Sequence, residues 1–214
     1  MSIALGIEQP DGLDVSLAEI MSNIVLEEPM GEDYGIHSHE EGVDFVPANI
    51  GLSGMELQLT GLMSRERVLR EYIDSVKDKY DYILLDAPAG VESGFRLASS
   101  AADRCIVVTG AGPAAVRDAA RVGQILELDG KADVRLLVNR VDRTMLSILD
   151  QTIDDVMDTA GLPLIGVVLE DPDVPMAAAT GKSLLRYNKR SATIKAFRRI
   201  ARRIQGYPEP IKIR

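Results

Sequence analysis

Apolar and polar positions along this 214-residue chain switch between two periods. Short apolar runs closed by turn residues read as strands: Val43 to Pro47, Tyr82 to Asp86, Cys105 to Thr109, Val134 to Asn139 and Leu164 to Val168. Between them, apolar residues recur every three to four positions, which predicts helices at 14–25, 92–102, 114–127 and 146–160. A further helical stretch runs from Met55 to Lys79, with a break near Gly61, and Pro29 to Gly42 reads as a loop rich in Gly, Glu and His. Successive strands separated by helices of about ten residues or more need crossover connections, and right-handed crossovers give a parallel sheet. The expected class is therefore α/β, a mostly parallel sheet flanked by helices.

One run carries more chemistry than the others. Tyr82-Ile83-Leu84-Leu85 ends in Asp86 and breaks at Pro88 and Gly90, so a buried strand would deliver a carboxylate to its carboxyl end. That end is where open α/β sheets bind ligands. An Asp there, followed by a Gly whose N–H can approach a phosphate, suits a nucleotide site holding magnesium and its attacking water. The plainer alternative is an Asp that caps the following helix. A second strand ends at Val138-Asn139-Arg140, and the Asn amide, both donor and acceptor, suits an adenine edge or simply caps a turn. His37 and His39, beside Glu40 and Glu41, have a spacing compatible with a metal, but the better account of them is a solvated loop. No G-x-x-x-x-G-K-[ST] phosphate loop occurs, and Gly181-Lys182-Ser183 lacks the upstream Gly and the preceding strand.

Composition narrows the picture. A chain of this length with 46% hydrophobic residues can bury one sizeable core, so residues 1–206 are expected to form one domain, with 207–214 a short tail. The single cysteine, Cys105, sits inside an apolar run, which excludes a disulfide framework or a Cys-x-x-Cys cluster and fits a cytoplasmic location. Charge is uneven: residues 1–180 carry 13 basic and 32 acidic side chains, whereas 181–214 carry 11 basic and one acidic. An acidic body does not bind nucleic acid by itself, so DNA or an anionic membrane surface falls to the basic tail. Within it, Ile194, Phe197, Ile200, Ala201 and Ile204 share one helical face, to be packed on the sheet or laid in a membrane interface.

The segment 81–96, DYILLDAPAGVESGFR, followed by Ala102-Asp103-Arg104 and CIVVT, resembles the MinD branch of the ParA/MinD ATPases. So do LLVNRV at 136–141, GLPLIGVVLEDPDV at 161–174 and AFRRIARRI at 196–204. Residues 1–80 are more similar to the ParA partition branch, through ALGIEQPD, GVDFVPANIGLSGMELQL and MSRERVLREYI. The resemblance implies a P-loop NTPase fold of the SIMIBI type. It places the family's phosphate loop upstream of the position matching Leu5-Gly6-Ile7-Glu8, so the chain reads as an amino-terminally truncated relative or a mosaic.

The resemblance also implies roles. Asp86 would be the catalytic, water-positioning residue and hold magnesium through water. Pro88 and Gly90 would line the phosphate side, and Asn139 would read adenine, with Arg140 and the loop Glu170-Asp171-Pro172 beside it. ATP and magnesium are the implied cofactors. The implied activity is ATP-dependent homodimerisation in spatial positioning, either division-site selection or DNA partitioning. A division inhibitor or a partition-complex protein would be the partner, and the location cytoplasmic or peripheral at the inner face of the membrane. Without a phosphate loop, the chain is expected to be inactive as an ATPase. The other reading is a non-catalytic interaction module of the same fold.

Overall fold

The computed structural model describes residues 15–48, 65–88 and 90–211. The expected helical turns at 55–64, the segment at 4–11 and the end of the tail lie outside the described residues. Those described fall into two compact units, Met1–Ala102 and Asp103–Arg214.

The first unit is helical with one small hairpin. Helix α1 (Leu17–Val25) begins at a capping box in which Ser16 accepts from the chain ahead of it while the Glu19 carboxylate accepts from the Ser16 N–H at 2.9 Å. These reciprocal bonds satisfy two amides that a helix start leaves unpaired. Strands β1 (His37–His39) and β2 (Val43–Phe45) pair antiparallel, with Ser38 opposite Asp44. The expected loop over 29–42 therefore contains a strand, too short and polar to announce itself by alternation. Helix α2 (Arg65–Val76) runs into a 3₁₀ turn at Lys77–Lys79, and α3 (Ser93–Ala101) follows. Ala18 and Met21 of α1, Val68 and Leu69 of α2, and Leu97 and Ala101 of α3 form one core. Arg70 ties α2 to α3 by donating to the carbonyls of Ser100 and Ala101 at 3.2 and 3.1 Å, which satisfies the open carbonyl end of α3.

The stretch expected as a buried strand at 82–86 is not one. Residues 82–88 belong to no helix or strand, and Tyr82, Ile83 and Leu84 are exposed. A strand is a lateral relation, and no segment among the described residues pairs with this one.

The second unit holds a parallel sheet in the order β3 (Cys105–Thr109), β4 (Val134–Val141), β5 (Leu164–Leu169). Helix α4 (Pro113–Leu128) connects the first pair. The second crossover, expected as one helix over 146–160, is two: α5 (Arg143–Ile148) and α6 (Ile153–Ala160). Asp150, left-handed at φ 47°, turns the chain, and a Thr152–Asp155 capping box restarts the helix. Short helices α7 (Asp173–Ala179) and α8 (Leu184–Tyr187) precede the last helix, α9 (Ala192–Ile204).

Sheet parity sets the layers. Leu136 and Val138, fully buried, face the side of α4 and α6, whose buried residues include Val116, Leu126 and Val156. Leu137 faces the other way and packs with Ile165, Val168, Ala196 and Ile200. A Cβ added at Gly166 would lie 2.4 Å from the Ile200 side chain, so the missing side chain is what lets α9 approach β5. Arg203 and Arg104 spend their guanidinium groups on the carbonyls of Ile165 and Ile204, at 2.8 and 2.9 Å. The tail folds back on α9, with Tyr207 stacked on Arg202 at 4.8 Å and Glu209 paired to the same arginine.

The packed face of α9 is thus Ile194, Ala196 and Ile200, and the expected anchor Phe197 is 45% exposed. Ile194 and Ile200 of the expected face are buried as expected, and the contact of Ile200 with the space at Gly166 centres the packing there and leaves Phe197 at its rim. Ile200→Ala should cost about 2–4 kcal/mol of unfolding free energy by denaturant melts, and Phe197→Ala less than about 1. Equal costs would mean that α9 packs differently.

Candidate functional site

Three strand ends shape a cleft in the second unit. Strand β3 stops at Thr109, and Gly110-Ala111-Gly112 turns the chain into α4, whose first residue is Pro113. Proline loses nothing there, because that N–H has no helical partner in any case. Strand β4 carries a bulge at its carboxyl end: Val138 pairs Val167, but Val141 pairs Leu169, so one extra residue sits between them on β4. Arg140 takes up that residue in the left-handed region, φ 54°. Bulges redirect side chains and are common beside functional sites. The Glu170 N–H then donates to the Val141 carbonyl at 3.1 Å, which closes the end of the sheet.

The cleft so formed has a volume of about 430 Å³. Val108, Met145 and Leu149 give it an exposed apolar shelf over buried Leu146, while Asn139, Arg140, Asp142 and Glu170 supply its polar groups. Arg140 Nε donates to Glu170 Oε2 at 2.9 Å and Nη2 to Oε1 at 3.4 Å. Asp142 is committed locally, capping α5 by accepting from the Thr144 N–H at 2.8 Å. Two carboxylates and one guanidinium leave the lining net negative, which disfavours phosphate and suits an uncharged ring laid on the shelf.

The site residues expected from sequence separate into three groups. Asn139, Arg140 and Glu170 meet in this cleft. Asp171 and Pro172 do not line it: Asp171 accepts from Ser191 Oγ at 2.5 Å and from the Asp173 N–H at 3.0 Å, and Pro172 caps α7. The Ser191 hydroxyl, buried at the start of α9, holds the Asp171 carboxyl below the usual carboxylate range. Asp86, Pro88 and Gly90 belong to the first unit, where Asp86 and Pro88 are exposed and Gly90 adopts φ 99°, a conformation that favours glycine. Among the described residues no three His, Cys, Asp or Glu side chains gather to hold a metal. A magnesium ion at Asp86 would draw its other ligands from phosphate and water, as that ion commonly does. His37 and His39 flank Phe45 on the hairpin, at ring distances of 5.5 and 6.4 Å.

Sequence reasoning missed the Gly110–Gly112 turn and the shelf of Met145 and Leu149. The Gly-Ala-Gly-Pro run after CIVVT was a usable signal, since it marks a strand end turning straight into a helix. The shelf had none, because an amphipathic turn looks alike whether it packs or lines a cleft.

Against known proteins, the profile of the AAA domain family matches residues 1–129, more than half of the chain. The septum site-determining protein MinD of Synechocystis sp. is 36% identical over 143 residues, 66% of this chain and 54% of that protein. The chain belongs to the MinD/ParA family of P-loop ATPases. MinD of Bacillus subtilis is 35% identical over 147 residues, 68% of this chain and 54% of its own length. The chain thus spans about half the length of the curated relatives it matches. Among solved structures, MinD in a MinC:MinD cell division protein complex of Aquifex aeolicus aligns with TM-score 0.80 and 24% identity over 99% of this chain and 80% of that one. MinD of Pyrococcus horikoshii, complexed with Mg-ADP, aligns with TM-score 0.74 and 25% identity over 95% and 77%. The α/β class with a parallel sheet between helices is that of these ATPases.

Asp171→Ala should lower stability by about 1–2 kcal/mol at neutral pH, since it removes the acceptor for two hydrogen bonds. The Asp171 pKa is depressed on folding, so its contribution is complete above the unfolded carboxylate range, about 3.9, and fades as pH falls through the lower folded value. Urea melts of both proteins from pH 7 down to pH 2 should therefore converge at the acid end. A gap that stays constant with pH would mean that the carboxylate charge is irrelevant.

Proposed function

We propose that this chain is the nucleotide-binding domain, residues 1–206 with a short tail, of a positioning ATPase of the MinD/ParA family, acting in division-site selection or DNA partitioning through ATP-dependent dimerisation. The observation that carries the reading is the cleft at the carboxyl ends of β3, β4 and β5, with Asn139 beside an apolar shelf. Its amide can donate to and accept from an adenine edge while the shelf covers the ring face. No helix among the described residues is long and apolar enough to cross a membrane. We place the protein in the cytoplasm or at the inner membrane face, with a second copy of itself and a division inhibitor or partition-complex protein as partners.

In this reading Asn139 selects the base, and Gly110 and Gly112 add no side chain to the cleft beside it. Asp86, in the exposed stretch after Tyr82, would orient the attacking water and hold magnesium through water, and Gly90 would lend its backbone to the terminal phosphate. Magnesium, when bound with ATP, supplies charge neutralisation on the phosphates.

A second reading, a non-catalytic interaction module, draws on one specific observation. The sequence given holds no phosphate-loop motif, and the one cation lining the cleft among the described residues, Arg140, is paired to Glu170. Without a lysine and its backbone nest, Asp86 cannot neutralise transition-state charge on its own. The purified chain is therefore expected to release phosphate from ATP no faster than its Asp86→Ala variant. Turnover that this substitution abolishes would show a working hydrolytic site and remove the second reading.

A further inference from the structure

The charge of the chain is divided between its two units: residues 1–102 carry 19 acidic and 6 basic side chains and residues 103–214 carry 14 acidic and 18 basic, so net −13 stands against net +4. Helix α9 concentrates the positive side. It contains no acidic residue, and Lys195, Arg198, Arg199 and Arg202 follow the i, i+3, i+4, i+7 spacing of one helical face, apart from the packed Ala196 and Ile200. Like charges at i, i+4 destabilise a helix, and two such pairs, Lys195–Arg199 and Arg198–Arg202, lie on this face. Arg202 is relieved by Glu209, whereas the side chains of Lys195, Arg198 and Arg199 have no hydrogen bond or ion pair among the described residues. Phe197, next to this strip, is left 45% exposed.

The first unit carries the complement. Residues 15–48 hold eight carboxylates and no lysine or arginine. Where α1 ends, Leu26 is 63% exposed, and the next two residues are the exposed Glu27 and Glu28, whose carboxylates likewise have no partner among the described residues. Carboxylates are unfavourable at a helix C-terminus, where the carbonyls already present negative charge. An apolar side chain beside unpaired carboxylates on one unit thus matches, in kind and in sign, an apolar side chain beside unpaired cations on the other. A nucleic acid or an anionic lipid surface would attract the strip but repel the net −13 unit that comes with it. A second copy brings a cationic strip for that unit as well.

We propose that the outer face of α9 docks on the end of α1 in a second copy of this chain, with Phe197 against Leu26 and Arg198 and Arg199 facing Glu27 and Glu28. The contact is heterologous: each copy offers one surface and receives on the other, so association extends into chains or closes into a ring. It goes beyond the nucleotide-dependent pairing of the proposed function and needs no nucleotide.

Sedimentation velocity of the full chain without nucleotide tests this at about 0.02 M and about 0.5 M salt, because attraction between exposed charges weakens as the screening length shrinks. At low salt the weight-average mass of wild type should rise about twofold or more over a roughly hundredfold rise in protein concentration, and at high salt it should stay that of a monomer. Arg198→Glu/Arg199→Glu and Glu27→Lys/Glu28→Lys should each remain monomeric. Their equimolar mixture should associate again, since each reversed surface then meets a complementary one, and a variant that had lost its fold could not be rescued in this way. The neutral variants Arg198→Gln/Arg199→Gln and Glu27→Gln/Glu28→Gln, their folding checked by circular dichroism, should each weaken association by about tenfold. A wild type that is monomeric at low salt, association that survives the neutral and reversed variants, or a mixture of folded variants that fails to associate overturns the proposal. So does a monomeric wild type that binds a random-sequence duplex or anionic vesicles through Arg198 and Arg199, which assigns the strip to a polyanion. None of these outcomes bears on the base site or on ATP-dependent dimerisation.

Discussion

The hydrogen-bonded ladder that β4 shares with β3 on one side and β5 on the other is the constraint on which the second unit depends. Parallel strands in register end together, so Thr109, Asn139 and Glu170 come to one edge of the sheet although some thirty residues separate each from the next. The helices then have no choice of side. Alternation sends Leu136 and Val138 toward α4 and α6 and Leu137 toward α9, and the absence of a side chain at Gly166 fixes how close α9 comes. The ladder between β4 and β5 yields at two places, between Leu136 and Leu137 and at the bulge between Val138 and Val141, and it is at the second that the polar groups of the cleft are presented.

This unit was legible in the sequence because its strands read as mostly apolar runs between turn residues, with β5 and the middle of β4 buried, although β3 exposes Ile106 and Val108. The break between α5 and α6 was not, since the residues that make it, Asp150 and Thr152, are also tolerated within a helix. On α9 the expected face held at Ile194, Ile200 and Ile204 but not at Phe197, the largest apolar side chain in that helix, because the close approach to Gly166 centres the packing on Ile200. The run at 82–86 has the composition of a buried strand, yet pairing is a property of two segments and cannot be read from one.

The candidate site divides along the same line. Asn139 drew notice as the polar end of an apolar strand, whereas Arg140 and Glu170 came only with the family resemblance, and the three line one cleft. Asp171 was expected beside them from its place in the chain, but its carboxylate is spent on Ser191 and the Asp173 amide and fastens the loop to α9. A motif records which residues are near in sequence, and hydrogen-bond competition decides which of them face a ligand.

The central claim, that the strand-end cleft of the second unit takes an adenine ring, is most directly tested by photolabelling the intact chain with 8-azidoadenosine and mapping the modified peptides. The account predicts saturable labelling confined to 108–112, 139–149 and the neighbourhood of Glu170, competed by adenosine and lost in Asn139→Ala. Labelling spread over the surface, or insensitive to adenosine, would contradict it.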